Sequence, residues 1–241
     1  MKRGLILFPA LALVAAAGVP HKVVRKTAAL DFSYEWSSQA VQIPALDQRF
    51  YKDAKAKLAE AQKNAAEDQV LARQQKRDFN AHYYSMQWTT AGETPRLLSM
   101  QSESGSFEGG AHPNTSYGAL LWDRLAFREI SLASLFTLQG DFGALTLATY
   151  CEKLDAERTK KREGEKLELA EFNDCPKYSD LAIAPVDRNK DGLFDAIDFV
   201  ASPYVAGPYV EGEYEVLVPI TARLVAAMKP EYRSSFKAQR Q

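Results

Sequence analysis

The chain has 241 residues, of which 46% are hydrophobic, so it is long and apolar enough to bury the core of one or two domains. Its 30 basic and 31 acidic residues give a formal net charge of -1. Because no overall positive field draws such a protein to polyanions, we expect no nucleic-acid partner and no attraction to an anionic membrane surface.

The N-terminus has the three parts of a secretory signal peptide. Two basic residues are followed by an apolar run from Gly4 to Gly18, with small residues at Ala15 and Ala17. The alternative is an uncleaved anchor helix, but this run is shorter than the roughly 20 residues that a bilayer span needs. We therefore expect removal of residues 1–17, a linker over 18–28, and a periplasmic or secreted protein without a stable membrane anchor.

The first elements after the linker are a strand and a long helix. In 31–37 the aromatic residues Phe32, Tyr34 and Trp36 alternate with polar ones, which predicts a half-buried strand. Over 44–78 apolar residues recur at spacings of three and four, which predicts an amphipathic helix. The residues of this stripe are Leu46, Phe50, Ala54, Leu58 and Ala61.

Strands predominate in the rest of the chain. Three strand-like runs over 82–123 are separated by Gly- and Pro-containing turns, which favours hairpins. A second helix is predicted over 141–162, followed by strands at 181–186, 193–201 and 213–220. A closing helix over 221–228 ends near Pro230, and we expect the basic end of the chain to be frayed. This order predicts an α+β fold in which antiparallel sheets pack with a long N-terminal, a middle and a short C-terminal helix.

The two cysteines, Cys151 and Cys175, both lie in the part expected to be exported, where disulfides persist. We predict that they form a disulfide, which would stabilise the fold by about 3.5 kcal/mol in the chain-entropy model. Two separate buried thiols are the alternative. A zinc site needs more ligands than two cysteines supply, and no histidine is near them in sequence.

Several strings resemble a known family: GGAHPNTSY, LLWD, EISLASLF and FVASPYVAGPYVEGEYEVLVPI. Over about 29–236 the chain resembles the extracytoplasmic domain shared by RsiV anti-sigma factors and the N-terminal region of PdaC-type peptidoglycan deacetylases. The resemblance implies a PdaC-like part over 29–125, an RsiV-like part over 126–236 and a tail over 237–241. It also implies a role in envelope sensing or binding, with a lysozyme-type protein as one ligand. Deacetylase chemistry belongs to a separate catalytic domain, which we do not expect here.

The turn FEGGAHPNTSYG is the first candidate site. Gly109 and Gly110 permit positive φ, and Asn114 tolerates the left-handed region, so the string suits a tight connection between strands. His112 is then a structural or ligand-contacting residue. The alternative is catalysis, which needs a nucleophile or an orienting carboxylate, and the nearby acids are Glu103, Glu108 and Asp123.

Two tyrosines in the loop PYVAGPYVEG, Tyr204 and Tyr209, are the other candidate ligand contacts. Exposed aromatic rings stack on sugars or anchor a protein partner, whereas buried ones would pack over the edge of a sheet. We name Gly109, Gly110, His112, Asn114, Tyr204 and Tyr209 as the predicted ligand-binding set.

The string VDRNKDGLFDAID matches several positions of a calcium loop. The oxygen ligands would be Asp187, Asn189, Asp191, Asp195 and Asp198. A hairpin turn is the alternative, because Asn, Asp and Gly are also turn residues. If the chain is extended after Phe194, Asp195 and Asp198 point to opposite faces and cannot share one ion. We expect no other cofactor.

These features predict an exported binding or sensing module of the cell envelope rather than an enzyme, since the sequence has no G-x-S-x-G, H-E-x-x-H, Walker or Rossmann motif. Its partner would be a cell-wall glycan or a secreted, lysozyme-type protein. One alternative is an envelope hydrolase that acts on peptidoglycan with His112 as acid/base. Another is a periplasmic scaffold whose glycines serve folding only.

Overall fold

A computed structural model describes residues 19–138, 140–165, 167 and 172–239. The predicted signal peptide, 1–17, lies outside the described residues. The described part contains nine strands and five α-helices, so the predicted α+β class is confirmed. None of the helices in this part is both long and apolar enough to cross a membrane.

Six strands form the larger sheet, in the order β1-β2-β3-β4-β5-β6. Neighbours are antiparallel except β2 and β3, which are parallel with Leu30 opposite His82. This exception arises because a long helix connects the two strands, and a crossover connection returns the chain in the same direction. The strands are β1 His21–Lys26, β2 Leu30–Trp36, β3 His82–Glu93, β4 Leu97–Phe107, β5 Asn114–Asp123 and β6 Arg128–Ile130.

The segment predicted to be a linker, 18–28, contains β1, so that prediction is wrong for His21–Lys26. Most of this strand is exposed, and it pairs along its whole length with β2. Its sequence HKVVRK has no alternation of apolar and polar residues, because backbone hydrogen bonds to β2 rather than burial hold this edge strand in place.

A short helix, α1 (Ser38–Val41), and the long helix α2 (Pro44–Gln75) follow β2. The predicted helix over 44–78 is confirmed, although it ends at Gln75 because Lys76 adopts the left-handed conformation. Its stripe begins with three fully buried residues, Leu46, Phe50 and Ala54. These residues pack on one face of the larger sheet against the aromatic side chains Phe32, Tyr34 and Trp36.

The smaller sheet has three antiparallel strands in the order β7-β8-β9. They are β7 Leu181–Val186, β8 Ala196–Ala201 and β9 Tyr214–Pro219, as the sequence predicts. Helix α3 (Asp141–Lys161) packs on this sheet, with Tyr150 stacked on Phe199 at 4.8 Å between ring centroids. The predicted disulfide is confirmed: Cys151 in α3 is bonded to Cys175.

The end of the chain is packed, so the expectation of a frayed end is wrong for the described residues up to Gln239. Two short helices, α4 (Ala222–Ala227) and α5 (Pro230–Arg233), precede the buried Ser235 and Phe236. Ser235 Oγ shares a 3.0 Å hydrogen bond with Thr94 Oγ1 in the turn between β3 and β4. This segment therefore joins the larger sheet to the smaller one.

The two sheets face each other, with β7 in contact with β3, β4 and β5. Both faces of β8 are consequently buried. Ile197 and Phe199 lie in the core beneath α3, whereas Asp198, between them, faces the larger sheet and contacts Gln101 of β4. The division of the chain near residue 125 stays a prediction.

Candidate functional site

The three aromatic side chains predicted as ligand contacts come together at one surface. The His112 imidazole stacks on the Tyr209 ring, with centroids 3.9 Å apart and an interplanar angle of 25°. The Tyr204 ring lies 6.4 Å from His112 and 5.7 Å from Tyr209. We call His112, Tyr204 and Tyr209 the aromatic cluster. Its members come from two separate loops, so the fold creates a cluster that no local sequence motif contains.

Hydrogen bonds hold the rings of the aromatic cluster in place. The Tyr209 hydroxyl donates to the carbonyl oxygen of Pro113 at 2.8 Å, and His112 Nδ1 donates to the same oxygen at 2.8 Å. The Tyr204 hydroxyl and His112 Nε2 share a hydrogen bond of 3.3 Å. Because a carbonyl oxygen can only accept, the bond to Pro113 places a proton on Nδ1.

The cluster is presented to solvent by a strained loop. Tyr204 has φ 72°, in the left-handed region that is unfavourable for a residue with a large side chain. Such a conformation costs about 1–3 kcal/mol and is concentrated at functional sites. Yet 54% of Tyr204 is exposed, as is 89% of Val210, the residue after Tyr209. The fold therefore maintains an unfavourable backbone conformation at a residue that contributes little to the core.

The remaining members of the predicted set shape the turn beside the cluster. Gly109 has φ 80°, which a glycine adopts without strain, and a Cβ atom at Gly110 would meet open space. Asn114 begins β5 and pairs with Ser106 of β4. The glycines thus serve the connection between the strands, while a role for them in ligand binding stays a prediction.

The acids that the sequence places near His112 are elsewhere in the fold. Glu108 accepts a hydrogen bond from a side chain of α2. Asp123 is buried at the opposite end of β5, where Arg96 donates two hydrogen bonds to it. Glu103 lines a separate cleft. None of these three carboxylates is hydrogen-bonded to the imidazole, whose two nitrogens are bonded to Pro113 and Tyr204.

A second feature, which the sequence analysis does not predict, is a cleft of about 310 Å³ between the two sheets. It adjoins the aromatic cluster, because Tyr117 in its wall donates a backbone hydrogen bond of 3.1 Å to Ser202, two residues before Tyr204. Its polar lining comes from both sheets and includes Gln101, Glu103, Tyr117, Asp198, Glu213 and Glu215. We call this the acidic cleft.

Asp198 is the buried acid of this cleft, with 5% of its surface exposed. Gln101 Nε2 donates a 2.6 Å hydrogen bond to Asp198 Oδ2. The other oxygen, Oδ1, is buried and has no hydrogen-bond partner among the described residues. Burial, the largest cause, and the charge of Glu215 together raise the pKa of Asp198 to about 6, although the hydrogen bond from Gln101 and the nearby Phe199 N–H act in the opposite direction.

Tyr117 faces the same carboxylates. Burial, followed by the charges of Glu213 and Glu103, raises the pKa of the Tyr117 hydroxyl to about 12. The phenol therefore remains protonated at physiological pH and presents a hydrogen-bond donor and acceptor to the cleft. A sequence signal for this site does exist: Asp198 is the one charged residue in the buried strand AIDFVA.

Most of the predicted calcium ligands lie in the hairpin between β7 and β8, where they bond to the backbone of the hairpin itself. Asp187 accepts bonds from the N–H groups of Asp191 and Gly192, and Asn189 accepts one from Asp191. Asp195 accepts one from the Arg188 N–H. Asp198 is not part of this group, since it lies in the acidic cleft. No group of three or more His, Cys, Asp or Glu residues in the described ranges is arranged to hold a metal.

Comparison with known families relates the first part of the chain to one of them. Residues 24–115 match the family described as Deacetylase PdaC. The expected resemblance to PdaC proteins is thereby confirmed for this part, which runs from within β1 to the start of β5. The RsiV-like character of 126–236 stays a prediction.

Two solved structures share the fold over nearly the whole chain. One is a DUF3298 family protein from Pseudomonas aeruginosa, with 17% identity, a TM-score of 0.55, and coverage of 92% of this chain and 95% of the other. The second is a DUF3298 family member from Bacteroides fragilis, with 15% identity, a TM-score of 0.54, and coverage of 93% and 100%. No curated protein matches the chain. At these identities the likeness shows a common fold.

Proposed function

We propose that this protein is an exported, non-enzymatic binding module of the bacterial cell envelope, which recognises a glycan of the cell wall through the aromatic cluster. The observation that carries the proposal is the convergence of His112, Tyr204 and Tyr209 on one surface, with Tyr204 exposed on a strained backbone. Aromatic faces that are fixed by hydrogen bonds and open to solvent suit stacking against the apolar faces of sugar rings.

Export is supported by the signal-like N-terminus and by the disulfide, because disulfides persist mainly outside the cytoplasm. A binding role rather than catalysis is supported by the surroundings of His112. A catalytic histidine is usually paired with an orienting carboxylate, whereas the partners of this imidazole are the Pro113 carbonyl oxygen and the Tyr204 hydroxyl. The alternative of a hydrolase with His112 as acid/base gains no support from these contacts.

The test is calorimetric titration of the oxidised protein, without residues 1–17, with soluble peptidoglycan fragments. We expect Tyr204→Ala to weaken binding by at least about tenfold, as the loss of a central aromatic contact does, without changing the melting temperature. Tyr51→Ala is the matched control, since Tyr51 is an aromatic residue on α2 with a similar exposed fraction of 53%. This control should bind as the wild type does.

Equal losses in both variants, or no loss in Tyr204→Ala, would contradict the proposal. Release of a product from the fragments by the wild-type protein would show an enzyme instead. A parallel titration with a lysozyme-type protein decides the class of ligand. If that protein binds through Tyr204 and the fragments do not, the assignment to a glycan is wrong.

A further inference from the structure

The acidic cleft has an excess of negative charge that nothing in its lining balances. Four carboxyl groups line it, and no lysine, arginine or histidine does. None of Glu103, Asp198, Glu213 and Glu215 forms an ion pair within the described ranges. The three glutamates are exposed and solvated, whereas Asp198 is almost entirely buried. Because water stabilises the charges of the three glutamates, only the buried charge of Asp198 lowers the stability of the folded protein.

Asp198 also has an unused hydrogen-bond acceptor. Its Oδ2 is bonded to Gln101, while Oδ1 is buried without a partner. A buried acceptor without a partner costs about 1–3 kcal/mol, more when it is charged, and such groups in folded proteins usually have a specific explanation. A cationic donor that enters the cleft would supply both the missing hydrogen bond and the missing positive charge.

We propose that the acidic cleft binds the primary ammonium group of a small ligand, and that the Asp198 side chain rotates to present its enclosed Oδ1 as the principal acceptor. Glu213 and Glu215 would add favourable charge at the rim, and the Tyr117 hydroxyl an additional hydrogen bond. The volume of about 310 Å³ is at the lower end of the range for small-molecule sites, which suits a single sugar unit or amino-acid side chain. This proposal does not depend on the aromatic cluster.

The geometry of Asp198 favours an ammonium over a guanidinium group. A guanidinium binds best when both carboxylate oxygens accept its parallel N–H groups. Here Gln101 already occupies Oδ2, so one oxygen remains, and a single acceptor suits a compact charge with rotatable donors. A divalent metal ion is also disfavoured, since calcium takes six to eight oxygen ligands and the described residues contain no suitable group of three acids.

The experiment is titration of the oxidised protein at pH 7 with glucosamine and, as a matched neutral ligand, N-acetylglucosamine. Glucosamine should bind, and N-acetylglucosamine should bind at least about tenfold more weakly because it lacks the charge. Nα-acetyl-lysine methylamide tests whether the ammonium group comes from an amino acid rather than a sugar. The tighter of these two amines identifies the source.

The variant Asp198→Asn keeps the shape of the side chain and should reduce the affinity for the tighter amine at least about tenfold. Asp180→Asn, an exposed acid just before β7, is the control and should bind normally. Equal binding by Asp198→Asn and the wild type would overturn the proposal, as would no binding of either amine at 10 mM. Binding of calcium chloride or an arginine analogue in place of the amines would also overturn it.

These outcomes differ from those of the glycan test. Tyr204→Ala should still bind the amine, because Tyr204 is not in the lining of the cleft. Loss of amine binding in Asp198→Asn together with loss of fragment binding in Tyr204→Ala would support two adjacent sites. The amine-binding proposal and the glycan-binding proposal can therefore each fail without the other.

Discussion

The amide of Gln101 on β4 donates a 2.6 Å hydrogen bond to the carboxylate of Asp198 on β8. This contact joins the larger and smaller sheets at a point where β8 is otherwise apolar and buried on both faces. A core position of this kind is normally filled by an apolar side chain, which would avoid the cost of burying a charge. The buried carboxylate thus lowers the stability of the fold, and its presence is explained if it binds a ligand as we propose.

Replacement of Asp198 by Asn should stabilise the protein at neutral pH. The pKa of Asp198 is raised to about 6 in the folded state from 3.8, so the folded state holds the proton more tightly than the unfolded state does. Below pH 3.8 both states are protonated and the carboxyl group has no net effect. Stability is then lost as the pH rises from about 4 to about 6, and above this range the full cost, up to about 3 kcal/mol, is present.

The measurement is the free energy of unfolding of wild type and Asp198→Asn, by urea denaturation at pH 3.5 and 7.5. The two proteins should be close to equal at pH 3.5, and the variant should be the more stable at pH 7.5. Asp180→Asn is the matched control and should show no such pH-dependent gain, because Asp180 is exposed. A variant less stable than the wild type at pH 7.5 would mean that the carboxylate stabilises the interface.

The disulfide between Cys151 and Cys175 closes a loop over a sequence separation of 24 residues. Its removal in the double variant Cys151→Ala/Cys175→Ala should destabilise the fold by about 3–4 kcal/mol, since the unfolded chain regains the entropy of the open loop. In a protein of this size that is a fall of roughly 6–16 °C in melting temperature. Reductant should lower the melting temperature of the wild type and leave that of the variant unchanged.

Gly92 lies at the irregularity in the pairing of β3 with β4. A Cβ atom there would meet Phe194 Cε1 at 2.8 Å and the backbone nitrogen of Asp187 at 3.0 Å. Gly92→Ala should therefore destabilise the fold by about 1–3 kcal/mol, because the added methyl group pushes the β7–β8 hairpin away from the larger sheet. Gly110→Ala is the control for thermal melting and should be neutral, since it meets open space.

Arg158 on α3 is a buried cation with 4% of its surface exposed. Its guanidinium donates to the carbonyl oxygens of Asn173, Asp174 and Ala206, so it fixes the segment before Cys175 and the loop that carries Tyr204. Arg158→Met should cost about 3 kcal/mol or more, because buried carbonyl groups lose charged donors. Lys153→Met on the same helix, an exposed position, should have little effect on urea denaturation.

Much of the fold follows from short-range patterns in the sequence. The alternation of Phe32, Tyr34 and Trp36 predicts β2, and the spacing of Leu46, Phe50 and Ala54 predicts α2, because these patterns reflect burial on one face. Strand β1 has no such pattern, since its partner holds it through the backbone. The parallel pairing of β2 with β3 depends on the position at which the chain re-enters the sheet after α2, and the local periodicity of the sequence does not specify that position.

The sequence predicts the residues of the aromatic cluster but not the acidic cleft. His112, Tyr204 and Tyr209 are recognisable as turn residues with aromatic or imidazole rings, but their stacking depends on the approach of two distant loops. In the sequence, Asp198 fits the spacing of a calcium loop together with Asp195. In the fold, its neighbours Ile197 and Phe199 direct it between the sheets, away from the hairpin. The approach of Gln101 from the other sheet has no counterpart in the local sequence.

The packed segment after α5 sets an order of assembly. Phe236 lies against Phe194, and the Gln239 N–H donates to Ile220 at the end of β9. A ribosome delivers these residues after all nine strands that they help to join. The contacts between β7 and the larger sheet can therefore form first, and the contacts that this last segment makes with both sheets are added at the end of synthesis. Late completion of this junction delays the final closure of the fold, which suits the export that we propose.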